Sequence, residues 1–545
     1  MAVVAALAVP VAAGASGPAR RDQRPAQAAA YTEAVDAVDN EFDPKTVRVE
    51  PGTTVMWTNR GRSPHNIVAS RKGQDFGAPF GVKTTAFAPG DEYEFTFSQP
   101  GTYAYYCTLH GTATTGMRGT VIVGAEEADG AQVKTAAPTR SGTIRVPGDL
   151  PTIQDAVDAA KPGAMVLVAP GVYHEGVTVT PAHRNIVIRG ESRSGTILDG
   201  QFSDAPGLEN GIKVLADGVA VENMTARNYT VNGFFWTGVD GYRGSYLSAI
   251  RNGDYGIYAF DSVNGQFDHS YGAGSPDAGF YIGQCTKCNA LIVDSEAEWN
   301  GVGYSGTNAG GNLVIARSSW HDNRAGIVPN SGTGEADPPQ RAATIVGNTV
   351  FHNNNEQSAA SGLALLADGD GIVVYGGQDN LVTRNRVFDQ KVAGIAVVVA
   401  PEKIVEPANP RAQNFDATGN KVIGNSVVGS LYDLVLVATI DDPTDTGDNC
   451  FSGNTYSTSL PAGLQDLVPC GKAASPAYAA DLAAFAAQVF VTRPAPPDYK
   501  VAALPAPPTL PDMLRAKTAK ARPATDEPSI RLAVKTIKVP PAPLP

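Results

Sequence analysis

The chain has 545 residues, of which 58 are glycine, 40 are proline and only 18% are charged. This length allows two to four domains with buried cores, and the composition favours strands and turns over helices. The formal net charge of −12 at pH 7 argues against nucleic acid or an anionic membrane as the main partner.

The first residues form an apolar, alanine-rich run that ends in small residues, AVVAALAVPVAAGASG. The run is too short to span a bilayer and is typical of the apolar region and cleavage site of a secretory signal peptide. We therefore expect residues 1–30 to be a signal peptide or disordered leader, and the protein to be secreted, periplasmic or at the cell surface. No later segment of the sequence predicts a transmembrane span.

Residues 31–124 predict a small antiparallel β-sandwich. Short stretches alternate apolar and polar residues around Pro-Gly turns at Pro51 and Pro100. Several strands of this length and spacing are typical of two packed sheets.

Four side chains in this predicted domain form a possible copper site. Cys107 ends one strand, His110 and Met117 are expected on the loop before the last strand, and His65 comes from another strand end. A thiolate and two imidazoles suit copper, and a thioether is a weak axial ligand that few other metals prefer. The sequence therefore predicts one copper ion with a redox role. The alternative is a buried structural thiol with incidental histidines.

This domain resembles the cupredoxins, the plastocyanin and azurin class. The resemblance rests on His65-Asn66 after WTN, and on Cys-x2-His with a following Met before GTVIV. It implies a type 1 copper site with the ligands His65, Cys107, His110 and Met117. It also implies that Asn66 and Thr108 brace the ligand loops, and that electrons pass to or from a redox partner.

The chain has five cysteines, and an odd number in an exported protein leaves one thiol, Cys107, for another purpose. The remaining four predict two disulfides, Cys285–Cys288 and Cys450–Cys470. A redox or metal site is the alternative for the CxxC pair.

Residues 125–143 predict a linker, and residues 144–472 carry a repeat of about 23 residues. A glycine before a large or β-branched residue recurs at Gly211, Gly233, Gly256, Gly279, Gly301, Gly326, Gly371 and Gly394. A second column predicts a ladder of side chains in which Asn takes the left-handed conformation, at Asn223, Ser270, Ser295, Ser318, Asn348, Asn385, Asn425 and Asn454. This period predicts a parallel β-helix, similar to the right-handed β-helix proteins of the pectate-lyase-like class.

On each predicted coil the residue after the glycine should face the core and the next should face outward. This rule predicts an outward aromatic strip of Phe235, Tyr258 and Tyr281. Such a strip suits sugar rings, unless a loop or the copper domain covers it. Asp261, His269 and Asp277 are expected near the strip and are the candidate catalytic residues of a polysaccharide lyase or hydrolase.

Residues 473–545 are rich in proline and alanine and include one potential helix. Their proline-rich stretches cannot pair as central strands. This tail is therefore expected to be disordered, or to wrap along the β-helix and cap its last coil.

These features together predict an all-β, exported protein that binds copper and transfers single electrons, with the β-helix as a scaffold or binding surface. Two alternatives stay open. The first is a carbohydrate-active β-helix enzyme with an accessory copper domain. The second is a copper carrier that matures another exported enzyme. The expected partners are a redox partner or a copper acceptor protein and, in the first alternative, a polysaccharide.

Overall fold

The computed structural model contains a small β-sandwich followed by a long solenoid. It describes residues 32–38, 41–61, 65–70, 80–83, 87–111, 116–124, 139–203, 205, 207–405, 412–489, 491, 493–525, 528 and 530–542. The predicted signal peptide and most of the predicted linker lie outside the described residues.

Among the described residues, nine strands make the sandwich: β1 Thr32–Val38, β2 Glu41–Asp43, β3 Thr46–Val49, β4 Thr53–Asn59, β5 Ile67–Ala69, β6 Gly81–Val82, β7 Glu92–Phe97, β8 Gly101–Gly111 and β9 Gly116–Val123. One sheet has the order β2-β1-β4-β7, and the other has the order β3-β9-β8-β5-β6. Alternate apolar residues of both sheets meet between them, and Val55, Trp57 and Val121 are fully buried there. The predicted β-sandwich is confirmed.

The solenoid is a parallel β-helix whose coils add strands to two long sheets. The 11-stranded sheet contains Val177–Val179, Ile212–Val214, Phe234–Thr237, Tyr255–Phe260, Ala278–Gly283, Val302–Thr307, Ala325–Asn330, Ile372–Tyr375, Ala393–Val398, Tyr432–Val437 and Ser459–Leu460.

The second long sheet has 20 strands and follows the chain order throughout. Its strands are Thr143–Val146, Met165–Val168, Gly171–Tyr173, Val187–Gly190, Thr196–Asp199, Val219–Arg227, Asp240–Ile250, Val263–Asp268, Tyr271–Ala273, Ala290–Val293, Glu296–Glu298, Gly310–Ala316, Ser319–His321, Arg341–Val346, Thr349–Phe351, Leu381–Thr383, Arg386–Phe388, Lys421–Ile423, Ser426–Val428 and Cys450–Ser452.

Helices are few and short in the described part of the chain. The α-helices are Ile153–Asp158, Glu402–Val405, Leu464–Leu467 and Leu482–Val489, and the 3-10 turns are Pro181–His183, Gly362–Leu365 and Val534–Thr536. A two-stranded sheet joins Ala400–Pro401 to Asn414–Phe415. None of these helices has the length and hydropathy that a bilayer-spanning helix needs.

The repeated glycines lie where adjacent coils approach most closely. Phe280 pairs with Tyr304 in the 11-stranded sheet, so the glycine aligned with Gly279 is Gly303. The predicted member Gly301 was wrong by two residues. A Cβ at Gly303 would lie 2.7 Å from the carbonyl oxygen of Gly326 on the next coil, which explains why the position excludes side chains. The predicted core residues after the glycines are fully buried, as at Ile257.

The asparagine and serine column forms a hydrogen-bonded ladder. The backbone N–H and the side-chain amide of Asn348 both donate to Oδ1 of Asn385, each at 3.0 Å. Asn223 has the left-handed conformation predicted for this column, with φ 55°, but at the other positions the left-handed residue is the one before the ladder residue, as at Arg384 with φ 53°. Asn223 does not join the ladder, because its Oδ1 accepts from the backbone of Met513 in the tail.

The structure contains the disulfides Cys285–Cys288 and Cys450–Cys470. Near the last coil the Tyr478 hydroxyl donates to the carbonyl of Leu436. The rest of the tail does not cap the solenoid but returns along its side. There Arg189 donates to the carbonyl of Ala519 at 2.6 Å, and Arg386 donates to that of Pro540 at 2.7 Å. Backbone carbonyls that cannot pair as strands are thus satisfied by arginine side chains.

Candidate metal centre

Two antiparallel strands carry the cysteine and the methionine of the candidate site. Strand β8 pairs with β9, with Tyr106 opposite Arg118. Alternate residues of β8 point inward, so Tyr105 and Cys107 are buried. On β9 the side chain of Met117 is buried in the same core. The hairpin therefore places two sulfur atoms on the inner side of one sheet.

His65 lies just before β5, and its side chain is completely buried. Its backbone N–H donates to the carbonyl of Phe87 at 3.1 Å, and the side-chain amide of Asn59 donates to the same carbonyl at 3.0 Å. These bonds tie His65 to the end of β4. The imidazole Nδ1 lies 3.8 Å from Sγ of Cys107.

The chemistry of these donors fits a soft redox metal. The Cys107 thiol belongs to no disulfide and is buried together with the His65 imidazole and the Met117 thioether. Sulfur and imidazole nitrogen suit copper, whereas hard cations such as Ca²⁺ need several oxygen ligands. Because all three donors are buried, water competes little with them for a metal.

The structure differs from the expected ligand loop in one respect. His110 lies within β8 and Met117 lies within β9, so the strands extend into the segment that was expected to be a loop. The side chains of Thr108 and His110 lie outside the described residues. Asn66 is buried directly after His65.

Aromatic packing supports the hairpin close to Cys107. The Tyr105 ring packs edge-on against Trp57, with 5.4 Å between the ring centroids. Burial raises the pKa of the Tyr105 phenol, so this group stays protonated. The ring also lies over Gly119, where a Cβ would approach a Tyr105 ring carbon to 2.2 Å. No feature of the sequence indicated this close approach.

Comparisons with known proteins agree with this geometry. A family model for copper-binding proteins of the plastocyanin/azurin family matches residues 29–124. The plastocyanin of Scenedesmus fuscus is 37% identical over 89 residues, which cover 15% of this chain and 85% of that protein. Through its N-terminal domain, the chain belongs to the plastocyanin/azurin family. Copper is thus the cofactor of this domain, and such domains exchange electrons with redox partners.

Two further relatives match the copper-binding domain, one over about half of its length and one over most of it. The chloroplastic plastocyanin of Tetradesmus obliquus is 39% identical over 89 residues, covering 15% of this chain and 57% of that protein. A reduced amicyanin variant of known structure covers 18% of this chain and 88% of its own length, at 30% identity with a TM-score of 0.15.

A second family model, for a right-handed β-helix region, matches residues 232–406. Among solved structures, the A-module of the mannuronan C-5 epimerase AlgE6 from Azotobacter vinelandii is 16% identical, with a TM-score of 0.40. That match covers 57% of this chain and 91% of the module. The predicted right-handed β-helix next to the copper-binding domain is confirmed by the family model.

The three candidate catalytic residues of the β-helix are not brought together. Asp261 occupies a left-handed turn with φ 46°. His269 stacks on Tyr246 at 4.5 Å and bonds to Asp268 at 2.8 Å, at a corner of the 20-stranded sheet. Asp261 directly follows strand Tyr255–Phe260 of the 11-stranded sheet, whereas Asp277 directly precedes strand Ala278–Gly283 and lines a cleft. The three residues lie at the ends of different strands, and a catalytic role for them stays a prediction.

The predicted aromatic strip exists but is not an open surface. Phe235 and Tyr258 stack at 4.6 Å with 9° between their planes, and Tyr281 packs edge-on at 4.9 Å from Tyr258. Their exposed fractions are only 3%, 3% and 1%. The prediction that these three residues form an exposed glycan-binding surface was therefore wrong. Tyr255 stacks on the strip at 4.3 Å, and an inserted loop brings Glu335 to accept the Tyr281 hydroxyl at 2.6 Å.

A separate group of titratable side chains lies on the 20-stranded sheet. His321 bonds to Glu296 through Nε2 at 3.0 Å and to Asp322 through Nδ1 at 2.8 Å. Burial lowers its pKa, but the bonds to Asp322 and Glu296 outweigh burial and raise it to about 9. In this structure the group is a network of ion pairs, in which the imidazole lies between two carboxylates.

Proposed function

We propose that this protein is an exported type 1 copper protein that transfers single electrons. The proposed ligands of one copper ion are His65, Cys107, His110 and Met117. The observation that carries the proposal is the buried, disulfide-free thiol of Cys107 at 3.8 Å from the imidazole Nδ1 of His65. When bound at such a site, copper supplies a one-electron couple between Cu(I) and Cu(II).

The role of the protein is to hold these donors in place and to exclude water. Cys107 and Met117 are fixed by neighbouring paired strands, and His65 is fixed by its backbone bond to Phe87. A rigid donor set cannot move far when the charge at the site changes. We infer that Asn66 and Thr108 stabilise the two ligand segments, as residues around a metal site generally do.

Export of the protein is part of this proposal. The apolar leader supports it, and so do the two disulfides of the solenoid, since structural disulfides persist mainly in oxidising compartments. A redox partner in that compartment is then required. Mass spectrometry of the N-terminus of the protein recovered from its native host tests export, because an uncleaved Met1 in the cytoplasm would contradict it.

Titration of the full chain with Cu(II), followed by visible absorption and by metal analysis, tests the copper site. One ion per chain and an intense blue thiolate-to-copper band are expected, and Cys107→Ser should lose the band. A matched control is the double variant Cys285→Ser with Cys288→Ser, which removes two other sulfur atoms and should keep the band. A colourless protein that still binds copper would contradict the type 1 site and favour the copper carrier.

A further inference from the structure

The last part of the tail forms an extended strap along the solenoid, made up of the described residues between 512 and 542. The Arg189 side chain donates to the carbonyl of Ala519 in the strap at 2.6 Å, and the Arg384 side chain donates to that of Val534 at 2.9 Å. Seven successive parallel pairings separate the strand of Arg189 from the strand that precedes Arg384. At about 4.8 Å for each pairing, the strap runs for roughly 30 Å along the solenoid.

The inner side of the strap is apolar. Ala521 packs against a buried cluster of the 20-stranded sheet that includes Leu167 and Val187. Beyond it, four larger residues pack against a second cluster of the same sheet, namely Ile530, Leu532, Val534 and Ile537. Successive side chains of an extended chain point to opposite sides. The residues between these apolar ones therefore point away from the sheet.

The outer side of the strap is basic. Its exposed cations form a row, the basic stripe, which consists of Arg515, Lys517, Lys520, Arg522, Arg531, Lys535 and Lys538. Lys517 pairs with Glu191 at 3.1 Å, yet 64% of its side chain remains exposed. Within the described part of the chain, no carboxylate lies within ion-pair distance of Lys520, Lys535 or Lys538. The strap thus presents positive charge to the surroundings of the protein.

The positive charge of the basic stripe is local. Residues 513–542 contain seven lysines and arginines but only two acidic residues, so this segment carries +5, whereas the whole chain carries −12. Glu222 beneath the strap does not cancel this charge, because its carboxylate is buried between Arg189 and Arg243. At physiological ionic strength, charges interact over a Debye length of about 8 Å. A partner at the stripe therefore meets mainly its cations, although the net charge of the chain is negative.

Hydrogen bonds from the β-helix hold the strap in a fixed position. The backbone N–H of Met513 donates to Oδ1 of Asn223 at 2.7 Å. The backbone N–H of Ile530 donates to Oε1 of Gln266 at 3.0 Å, and Arg189 binds the stretch between these two points. Groups that are ordered before they meet a partner lose less conformational entropy on binding. The backbone that carries the basic stripe is thus arranged before any partner binds.

An exposed apolar side chain accompanies these cations. Leu514, next to Arg515, is 80% exposed, the largest exposed fraction among the large apolar residues that the structure describes. Protein surfaces that lie on membranes combine these two features. Their basic residues contact anionic head groups, and their apolar side chains enter the boundary between head groups and acyl chains. A soluble polyanion would contact the cations but offers no apolar environment for Leu514, so the combination favours a lipid surface.

We propose that the basic stripe binds this protein to an anionic lipid surface. The solenoid lies with its strap against the head groups, and Leu514 inserts among them. Each Lys or Arg near such a surface increases the affinity by about fivefold, so several together give reversible binding that salt weakens. The net charge alone pointed away from an anionic membrane, because it does not show on which side the charges lie. The stripe needs no bound copper, so it stands or falls separately from the electron-transfer proposal.

Sedimentation of the full-length protein with lipid vesicles tests this surface. The protein should sediment with vesicles of phosphatidylcholine mixed with phosphatidylglycerol, and should stay in solution with vesicles of phosphatidylcholine alone. Added salt should release it, because the attraction is electrostatic. Cys107→Ser should bind in the same way, which separates this result from a failure of the copper site. Soluble polyglutamate is the comparison for a polyanion without a lipid surface.

Paired variants locate the surface that contacts the lipid. Lys520→Gln with Arg522→Gln should weaken binding to the mixed vesicles about 25-fold, and Lys535→Gln with Lys538→Gln should weaken it about as much. The control is Arg48→Gln with Lys403→Gln, which removes two exposed cations outside the strap and should leave binding unchanged.

A further pair of variants tests the apolar contribution. Leu514→Ser should weaken binding about tenfold, whereas Leu431→Ser, at a leucine that is 46% exposed outside the strap, should not. Thermal melts check that each variant is folded. The proposal is overturned if the protein does not bind the mixed vesicles, if it binds phosphatidylcholine alone equally well, if it binds only polyglutamate, or if the variants of the basic stripe bind like the wild type.

Discussion

The imidazole Nδ1 of His65 lies 3.8 Å from Sγ of Cys107, although 42 residues separate them in the chain. Two different elements bring them together, the segment before β5 and the inner face of β8. Neither residue alone would indicate a metal, since single buried cysteines and histidines are common in cores. Because the two side chains lie close together inside the sandwich, they form a candidate metal site.

Replacement of Met117 by leucine tests whether its thioether would be a ligand of copper. Leucine has a similar volume and should fill the same buried space, but it cannot donate to copper. Loss of the thioether destabilises Cu(II) relative to Cu(I), so the reduction potential should rise while the blue band remains. Cyclic voltammetry measures the change. An unaltered potential would show that Met117 does not contact the metal.

Replacement of Gly119 by alanine should disturb the hairpin that carries Cys107. The new Cβ would lie 2.2 Å from the Tyr105 ring, so the ring must move. Overpacking of this kind costs about 1–3 kcal/mol in the free energy of unfolding. Urea denaturation followed by amide hydrogen exchange of the β8–β9 hairpin measures it, because three of the four tryptophans lie in the β-helix and would mask Trp57 fluorescence. Gly148→Ala is the control, because a Cβ there would meet nothing closer than 3.5 Å and should cost little.

The carboxyl of Asp277 should make stability fall as pH rises. Burial raises the pKa of Asp277 from 3.8 to about 7, so the folded state binds a proton more tightly than the unfolded state. The wild type should therefore lose stability between about pH 4 and pH 7, by roughly 1–3 kcal/mol. Asp277→Asn should flatten this part of the profile of melting temperature against pH.

The matched variant for this pH profile is Asp389→Asn, whose carboxyl is largely exposed. It should leave the wild-type slope unchanged. A wild type whose melting temperature stays constant from pH 4 to pH 7 would contradict the assignment of a protonated carboxyl to Asp277.

Asn385 should be a main contributor to the stability of the solenoid. Its Oδ1 accepts two bonds from Asn348, and its amide donates to Ile345 at 2.9 Å and to Asn425 at 3.0 Å. Asn385→Leu would leave several buried groups unsatisfied, at a cost of about 3 kcal/mol. Thermal and urea unfolding measure this loss.

Asn385→Ser is the comparison variant for Asn385→Leu. Ser318 already stands in the same ladder and accepts from the backbone N–H of Ser295 at 3.1 Å. A serine at 385 should therefore recover part of the lost stability. Equal stability of the leucine and serine variants would show that the ladder bonds contribute little.

The amino-acid sequence by itself determined both domain types and the copper donors that could be proposed. The metal is restricted by ligand chemistry, because copper suits a cysteine, two histidines and a methionine. The architecture is restricted by the repeat, because a fixed period of about 23 residues predicts a solenoid. Both are patterns that can be recognised in the sequence alone. The sequence also predicted the inward residues of the coils. It misplaced one glycine, Gly301, because the coil from Gly279 to Gly303 is two residues longer than the predicted interval.

Only the tertiary structure decided what lies beside the β-helix. Phe235, Tyr258 and Tyr281 alternate outward as predicted, yet Tyr255 and the loop that carries Glu335 cover them. Asp277 was predicted as a candidate, but the cleft that it lines was not, because this cleft needs the copper-binding domain and the tail as walls. The alternation of side chains along a strand determines whether a residue points inward or outward, whereas packing between distant segments determines which residues it contacts.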